Sequence, residues 1–436
     1  MGKSQDLYRQ AKQLIPGGTQ LISKRPEMFL PEKWPSYYKK AKGVKIWDLD
    51  NKEYTDMSIM GIGACVLGYA NETMGNVIKK AVDDGNMSTL NTFEEVELAQ
   101  KLVDLHPWAQ MARFAKTGGE INAVAIRIAR AYSKKDKIAF CGYHGWHDWY
   151  IAANLSDDKS LDGQLLPGLK PAGVPKVLRG TSLPFHYGKI AELKEIVSKN
   201  KNEIGVIIME VMKSQEINLE FLHQIREIAD EIDAVLIFDE VSSGFRATTG
   251  GMHMLYDINP DMMTLGKALG NGYPIAAVLG KKDIMEAAQE SFISSTYWTE
   301  RLGFVAALEV IRQFEECDVV DHLKKVDEKI RRGLAKIFTS QEFDIEVVGM
   351  PAVPILAIKE EKPLVIKTLI TQEMLKKGFL ASNVIFVSSA HTEGVIDEYL
   401  KNMDEVLSRI ASAKKNGKLE DMLEGPVCHG AFKRLN

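Results

Sequence analysis

The chain has 436 residues, 45% of them apolar and 26% charged, the balance of a globular protein long enough for more than one domain. Lys and Arg number 55 against 59 Asp and Glu, a formal charge of −4 that gives no general attraction for nucleic acid or an anionic membrane. Apolar runs such as "AVLIF" are too short to cross a bilayer, segment 1–18 has no apolar leader stretch, and Cys65, Cys141, Cys317 and Cys428 form no C-x-x-C pair. A cytoplasmic protein with reduced thiols is expected, with no nucleic-acid or membrane partner.

In chain order, "QDLYRQAKQLI" (5–15) reads as a short amphipathic helix stopped by Pro16-Gly17-Gly18. "VKIWDLDNKEYTDM" alternates and turns at Asp50-Asn51, the pattern of a β-hairpin. Helical periodicity follows at 93–106. Short apolar runs then alternate with helices: "RFA" before "TGGE" and the helical "INAVAIRIARAYS", next "KIAFCGY" and "IGVIIMEVM", then a helix at 219–232 and "AVLIFDEV". Strands apolar on both faces, alternating with helices, predict an α/β fold with a buried, mostly parallel sheet. Residues 303–338 read as one or two long helices, "FDIEVVGMPAVPILAIK" as strand, 362–377 as helix, and "IDEYLKNMDEVLSRIASAKK" as a closing helix. "STYWTERLG" reads as the opening of the long helical stretch, with Thr296 near its N-terminus. The expected division is a large domain at 60–325 and a smaller α/β domain built from both chain ends, 1–59 and 326–436.

Asp239 stands at the end of "AVLIF", where open α/β sheets bind ligands. A carboxylate there is partly desolvated and calls for a cation; a protonated pyridine nitrogen is one. Lys267 lies between Gly266 and "ALGNGYP", after the apolar "MMTL". Small neighbours admit a cofactor, and apolar ones disfavour the ammonium. A lysine of this kind suits a Schiff base with pyridoxal phosphate, whose ring is an electron sink. "TGGE" (117–120) opens a helix whose free N–H groups suit a phosphate, and "YHGWHD" (143–148) offers an aromatic to stack on a ring. Each feature has a plainer reading. Asp239-Glu240 fits a cap or a surface ion pair, Lys267 a solvated loop, Tyr143 a core aromatic, and for either Asp239 or Lys267 alone the plainer reading outweighs the functional one. His144-x-x-His147 has the spacing of a metal pair, but no carboxylate or third histidine is spaced to complete a shell, so no metal is expected.

Taken together and in order, "AKGVKIWDLDNKEYTDM", "TGGEINAVAIRIAR", "YHGWHD", "IFDEVSSGFR", "LGKALGNGYPIAAVLG" and "STYWTERLGFVAALEVI" resemble the class-III aminotransferases of PLP fold type I. Within that family they are most similar to the glutamate-1-semialdehyde 2,1-aminomutases, and the likeness runs from residue 13 to 397. The resemblance implies pyridoxal 5′-phosphate as cofactor, Lys267 as the Schiff-base lysine and Asp239 as the partner of the pyridine nitrogen. It matches Val241 to the apolar residue on one ring face and Tyr143 to the aromatic on the other. Gly118 and Gly119 match the phosphate cup, where relatives have Gly followed by Ser or Thr. Thr296 matches the threonine that reaches the phosphate in the neighbouring subunit, which implies a homodimer with shared active sites.

The substrate side departs from the family. Glu210 falls where relatives have Glu-Pro, but Val211 follows it. Lys24 or Arg25 lies near the position of the arginine associated with the substrate carboxylate; Arg25 and Glu210 stand as substrate-binding candidates. Val384 occupies the place of a glutamate that the aminomutases carry, and Glu300-Arg301 that of an Asn-Pro. The expected function is amino-group transfer from a donor, L-glutamate, to a ketone or aldehyde, keto-sugars among them. The alternatives are an intramolecular glutamate-1-semialdehyde 2,1-aminomutase and a non-catalytic binding protein on the same fold.

Overall fold

The computed structural model describes residues 2–164, 166–200, 202–212, 217–433 and 435. The chain divides into two compact units, Met1–Asn71 with Asp321–Asn436, and Glu72–Val320. The expected divisions fell at 59/60 and 325/326.

The larger unit is built on seven strands: β1 (Met111–Ala115), β2 (Lys137–Cys141), β3 (Ser182–Pro184), β4 (Ile204–Glu210), β5 (Val235–Asp239), β6 (Met262–Leu265) and β7 (Ala276–Gly280). They form one sheet in the order β1-β7-β6-β5-β4-β2-β3. Strands β2 to β6 pair in parallel, and β7 runs antiparallel to both β1 and β6. Val206, Ile207, Ile208, Leu236, Ile237 and Phe238 are all buried, as strands covered on both faces require. The helix Gly118–Ser133 lays Ile121, Val124, Ala125, Ile128 and Ala129 into this core. Each such aliphatic side chain larger than alanine contributes about 1.5–3 kcal/mol when fully buried. The helix starts where it does because Thr117 and Glu120 form a capping box.

The parallel strands end together. Glu210 of β4 is in register with Asp239 of β5, and Asp239 with Thr264 of β6. Three polar side chains therefore line up along the carboxyl edge of an otherwise apolar sheet.

The stretch read as one or two long helices is two, Arg301–Glu316 and Val319–Ser340. Thr296 does not open the first of them. It lies in a separate 3-10 turn, Thr296–Thr299, and is exposed. The cap is Glu300, whose carboxylate accepts from the N–H groups of Leu302 and Gly303, each at 3.0 Å. A carboxylate two and three residues ahead of free N–H groups outcompetes the more distant threonine.

In the smaller unit, Lys45–Asp48 and Glu53–Met57 form the expected hairpin, with Tyr38–Lys42 beside it and Phe379–Ala381 parallel to Glu53–Met57. Asp48 fixes the turn by accepting from the N–H groups of Asp50 and Lys52, each at 2.9 Å. Ile345–Val348 and Ile355–Ile358 make a second, two-stranded sheet. Phe29, Leu30, Trp34, Tyr54, Leu375 and Leu380 form an apolar cluster in this unit.

Candidate active site

The carboxyl edge of the large sheet gathers Tyr143, Glu210, Asp239, Val241 and Lys267, with Gly118 and Gly119 at the adjoining helix end. Asp239 is only 4% exposed. Its Oδ2 accepts from Asn122 Nδ2 and from His144 Nδ1, each at 2.7 Å, and its Oδ1 from the Val241 N–H at 3.1 Å. The Thr264 hydroxyl, 2.8 Å from Asn122 Oδ1, orients that amide. Three donors thus converge on one buried carboxyl group. Asn122 and Thr264 went unnoticed in the sequence, and His144 was weighed only as a metal ligand. The available signal was an asparagine one turn into an otherwise apolar helix face.

Lys267 begins a 3-10 turn, Lys267–Gly270, just beyond β6, with φ at +41°. A non-glycine residue held there costs about 1–3 kcal/mol, strain of the kind that gathers at active sites. Its Nζ donates to the Ser242 hydroxyl. Burial pushes the Lys267 ammonium below the usual lysine range. Glu210 and then Asp239 pull it back up, and Arg246 pushes it down again. The residue as a whole is half-buried.

Glu210 Oε2 accepts from the Tyr143 N–H at 3.1 Å. A Cβ on Gly142 would lie 2.4 Å from that oxygen, and Gly142 has φ +109°, so only glycine serves there. The Tyr143 ring is 37% exposed and meets Tyr150 edge-on at 5.9 Å. Burial, then the charges of Asp239 and Glu210, hold its phenol above the usual range, so it stays neutral.

Val241 ties the two ends of the site together. A Cβ on Gly118 would lie 2.8 Å from its Cγ1, and one on Gly266 3.3 Å from the same atom. The phosphate-type helix end and the lysine turn thus converge on one valine. The capping box engages the Glu120 N–H, and the helical ladder has no partner for those of Gly118 and Gly119. The set comprises a helix end with free N–H groups, a desolvated amine, a buried carboxylate and an aromatic ring. It fits a phosphorylated pyridine aldehyde.

Arg25 is placed within the smaller unit, its Nη1 3.2 Å from the Lys433 carbonyl oxygen and its guanidinium over the Phe432 ring; Lys24 is exposed. His144 and His147 face different partners, the first Asp239 and the second Gly119. Among the described residues no group of three or more His, Cys, Asp or Glu is arranged to hold a metal ion, and no helix is long and apolar enough to cross a membrane.

Residues 31–406 match the family model for aminotransferase class-III. The 3-aminobutyryl-CoA aminotransferase of Cloacimonas acidaminovorans is 33% identical over 380 residues, covering 85% of this chain and 87% of its own. The glutamate-1-semialdehyde 2,1-aminomutase of Archaeoglobus fulgidus is 31% identical over 432 residues, covering 93% of this chain and 100% of its own. The FumI protein of a Sphingopyxis species, solved in its PLP internal aldimine form, superposes with a TM-score of 0.86 at 25% identity, over 95% of this chain and 98% of its own. The chain belongs to the class-III aminotransferase family, on PLP fold type I, and pyridoxal 5′-phosphate is its cofactor.

Proposed function

We propose that the chain is an aminotransferase that takes the amino group of L-glutamate and delivers it to a ketone or aldehyde, with keto-sugars as the acceptor class to try first. The observation that carries this reading is the Lys267 amine, desolvated, seated on Ser242 and flanked by the charges of Glu210 and Asp239. Pyridoxal phosphate supplies an aldehyde carbon and an electron-withdrawing ring when bound. Lys267 would hold it covalently, and its Nζ, once released by the incoming amine, would take and return a proton as base and acid. Asp239, held in place by Asn122 and His144, would partner the pyridine nitrogen. Val241 and Tyr143 would bracket the ring, and the Gly118 and Gly119 N–H groups would hold the phosphate. Arg25 and Glu210 are proposed substrate contacts.

A second reading is the intramolecular aminomutase, favoured by the Archaeoglobus relative, which aligns over nearly the whole chain. Val384, where the resemblance expects a glutamate, supports the transferase instead. The test is a half-reaction with purified holoenzyme and L-glutamate. Release of one 2-oxoglutarate per site supports transfer. No release, together with isomerisation of glutamate 1-semialdehyde, overturns it.

We also propose a homodimer with shared sites. Leu90, Phe93, Val96, Phe292 and Tyr297 are large apolar residues 63–87% exposed, on two segments of the larger unit that flank Thr296 in sequence or in space. Val96, Ile293, Trp298 and Thr299 line one cavity of about 370 Å³ between them. Apolar patches of this kind mark interfaces. None of the four cysteines is bridged, which supports a reducing, cytoplasmic setting.

A further inference from the structure

We propose that His147 is a further ligand of the cofactor phosphate, donating through Nδ1 from the place that a side chain on residue 119 would otherwise fill. The inference rests on the cofactor site described above.

A Cβ built on Gly119 would lie 3.1 Å from both Nδ1 and Cε1 of His147. The imidazole therefore stands directly over the second residue of the helix Gly118–Ser133, beside N–H groups that suit an anion. Three features hold the ring there. Trp146 stacks on it, with centroids 4.6 Å apart and planes 25° apart. Gly145 has φ +113°, and a Cβ there would lie 2.8 Å from Gly119 Cα, so the loop comes this close only with glycine at both positions. His147 is also the residue just before the short helix Asp148–Ile151, which fixes its backbone.

His147 Nδ1 is buried and has no hydrogen-bond partner among the described residues. Buried ring nitrogens nearly always have one. The acceptor-only oxygens of a phosphate at this helix end are the chemistry that answers it. The arrangement also accounts for glycine at 119, where the resemblance expects a hydroxyl-bearing residue: the donor comes from the 143–148 loop instead. Burial disfavours the imidazolium of His147, opposed by the charges of Glu120 and Asp148, and Arg127 and Arg130 line the same cavity. A neutral ring with its proton on Nδ1 would be such a donor.

The test uses full-length apoprotein and three probes: pyridoxal 5′-phosphate, pyridoxal without the phosphate, and inorganic phosphate as competitor. His147→Phe is expected to weaken pyridoxal phosphate binding about 10- to 100-fold, the range for losing one hydrogen bond to a charged group. Pyridoxal affinity should not change, and phosphate should compete less well. The phosphorus-31 resonance of the bound cofactor should shift, and His147→Asn, which keeps a donor, should recover part of the affinity. Unchanged cofactor affinity in His147→Phe overturns the inference. An equal loss for pyridoxal also overturns it, since that shows a structural role. Failure of the underlying site reading is seen separately, when borohydride fixes the cofactor of the wild type on a lysine other than Lys267.

Discussion

Lys267 and Arg246 meet on one residue: the lysine Nζ donates to the hydroxyl of Ser242, and the arginine Nε to its carbonyl oxygen at 3.3 Å. Arg246 is only 1% exposed, so its charge acts on Lys267 with little screening by water. Two cations gathered on one serine disfavour each other. Only the lysine can relieve this, because a guanidinium does not give up its proton. Burial first, and then this neighbouring charge, favour the neutral amine against the pull of Glu210 and Asp239, and the neutral amine is the form that a Schiff base requires.

That reasoning makes the amine itself measurable. In apoprotein treated with an amine-reactive reagent across a pH series, Lys267 should label with a midpoint below that of the exposed lysines. The sign follows from the depressed ammonium: a lower pKa means neutral amine at lower pH. In the holoprotein Lys267 should be protected, and borohydride should fix the cofactor on it. A midpoint that coincides with the bulk lysines, or turnover by Lys267→Ala, would remove Lys267 from its role.

Asp239→Asn probes the carboxylate. Both Asp239 oxygens already accept from donors, Oδ2 from Asn122 and His144 and Oδ1 from the Val241 N–H. An amide NH₂ at either place must face a donor, which costs about 1–3 kcal/mol of stability. The lost charge costs more in catalysis. Breaking a buried charged pair is worth about 3–5 kcal/mol, and each ~1.4 kcal/mol is tenfold in rate. Activity should fall by about two to four orders of magnitude while the variant still binds pyridoxal phosphate through Lys267 and the helix end. A variant within about tenfold of wild type would show that Asp239 does not partner the ring nitrogen.

Much of this site was legible because it sits where chain pattern and chemistry coincide. Asp239 closes an apolar run and Lys267 follows another, so each was visible as a charge out of place. The residues that hold them were harder to see. Asn122 lies on a helix whose periodicity reads as plain core. Ser242 is an ordinary polar residue until the fold sets it under Lys267. Glu300 resembled a departure from the family, and its role as a cap depended on where the helix began. Contacts between segments more than a hundred residues apart, such as Asn122 with Asp239, leave no local signature.

Glu240, next to Asp239, carries a pH prediction. It is fully buried, and burial pushes its carboxyl up. Hydrogen bonds from the His253 ring and from the N–H groups of His253 and Met252 outweigh this and hold it below the usual range. A depressed carboxylate stabilises the fold above its unfolded pKa, about 4.3, and that stability is lost as pH falls from there through the folded value. Denaturant melts of wild type should weaken in that acid window. Glu240→Gln should be less stable at pH 7, by roughly 1–3 kcal/mol, and flatter across the window. Parallel pH profiles for the two proteins would refute the assignment.

The last prediction separates Thr296 from Glu300. Glu300 caps the helix Arg301–Glu316 and pairs with Lys116, both side chains being 12% exposed. Glu300→Ala should cost about 1 kcal/mol for the cap and more for the stranded, half-buried ammonium. Thr296 is exposed and does not cap that helix, so Thr296→Ala should melt as the wild type does. If Thr296 serves the cofactor phosphate of a partner subunit, its loss should show in cofactor affinity alone. Lys267→Ala and Thr296→Ala chains, unfolded together and refolded, should then form heterodimers in which one site carries both native residues and the other neither. Activity above that of either parent supports shared sites. Two outcomes refute them: unchanged cofactor affinity in Thr296→Ala, and sedimentation showing an active monomer at assay concentration.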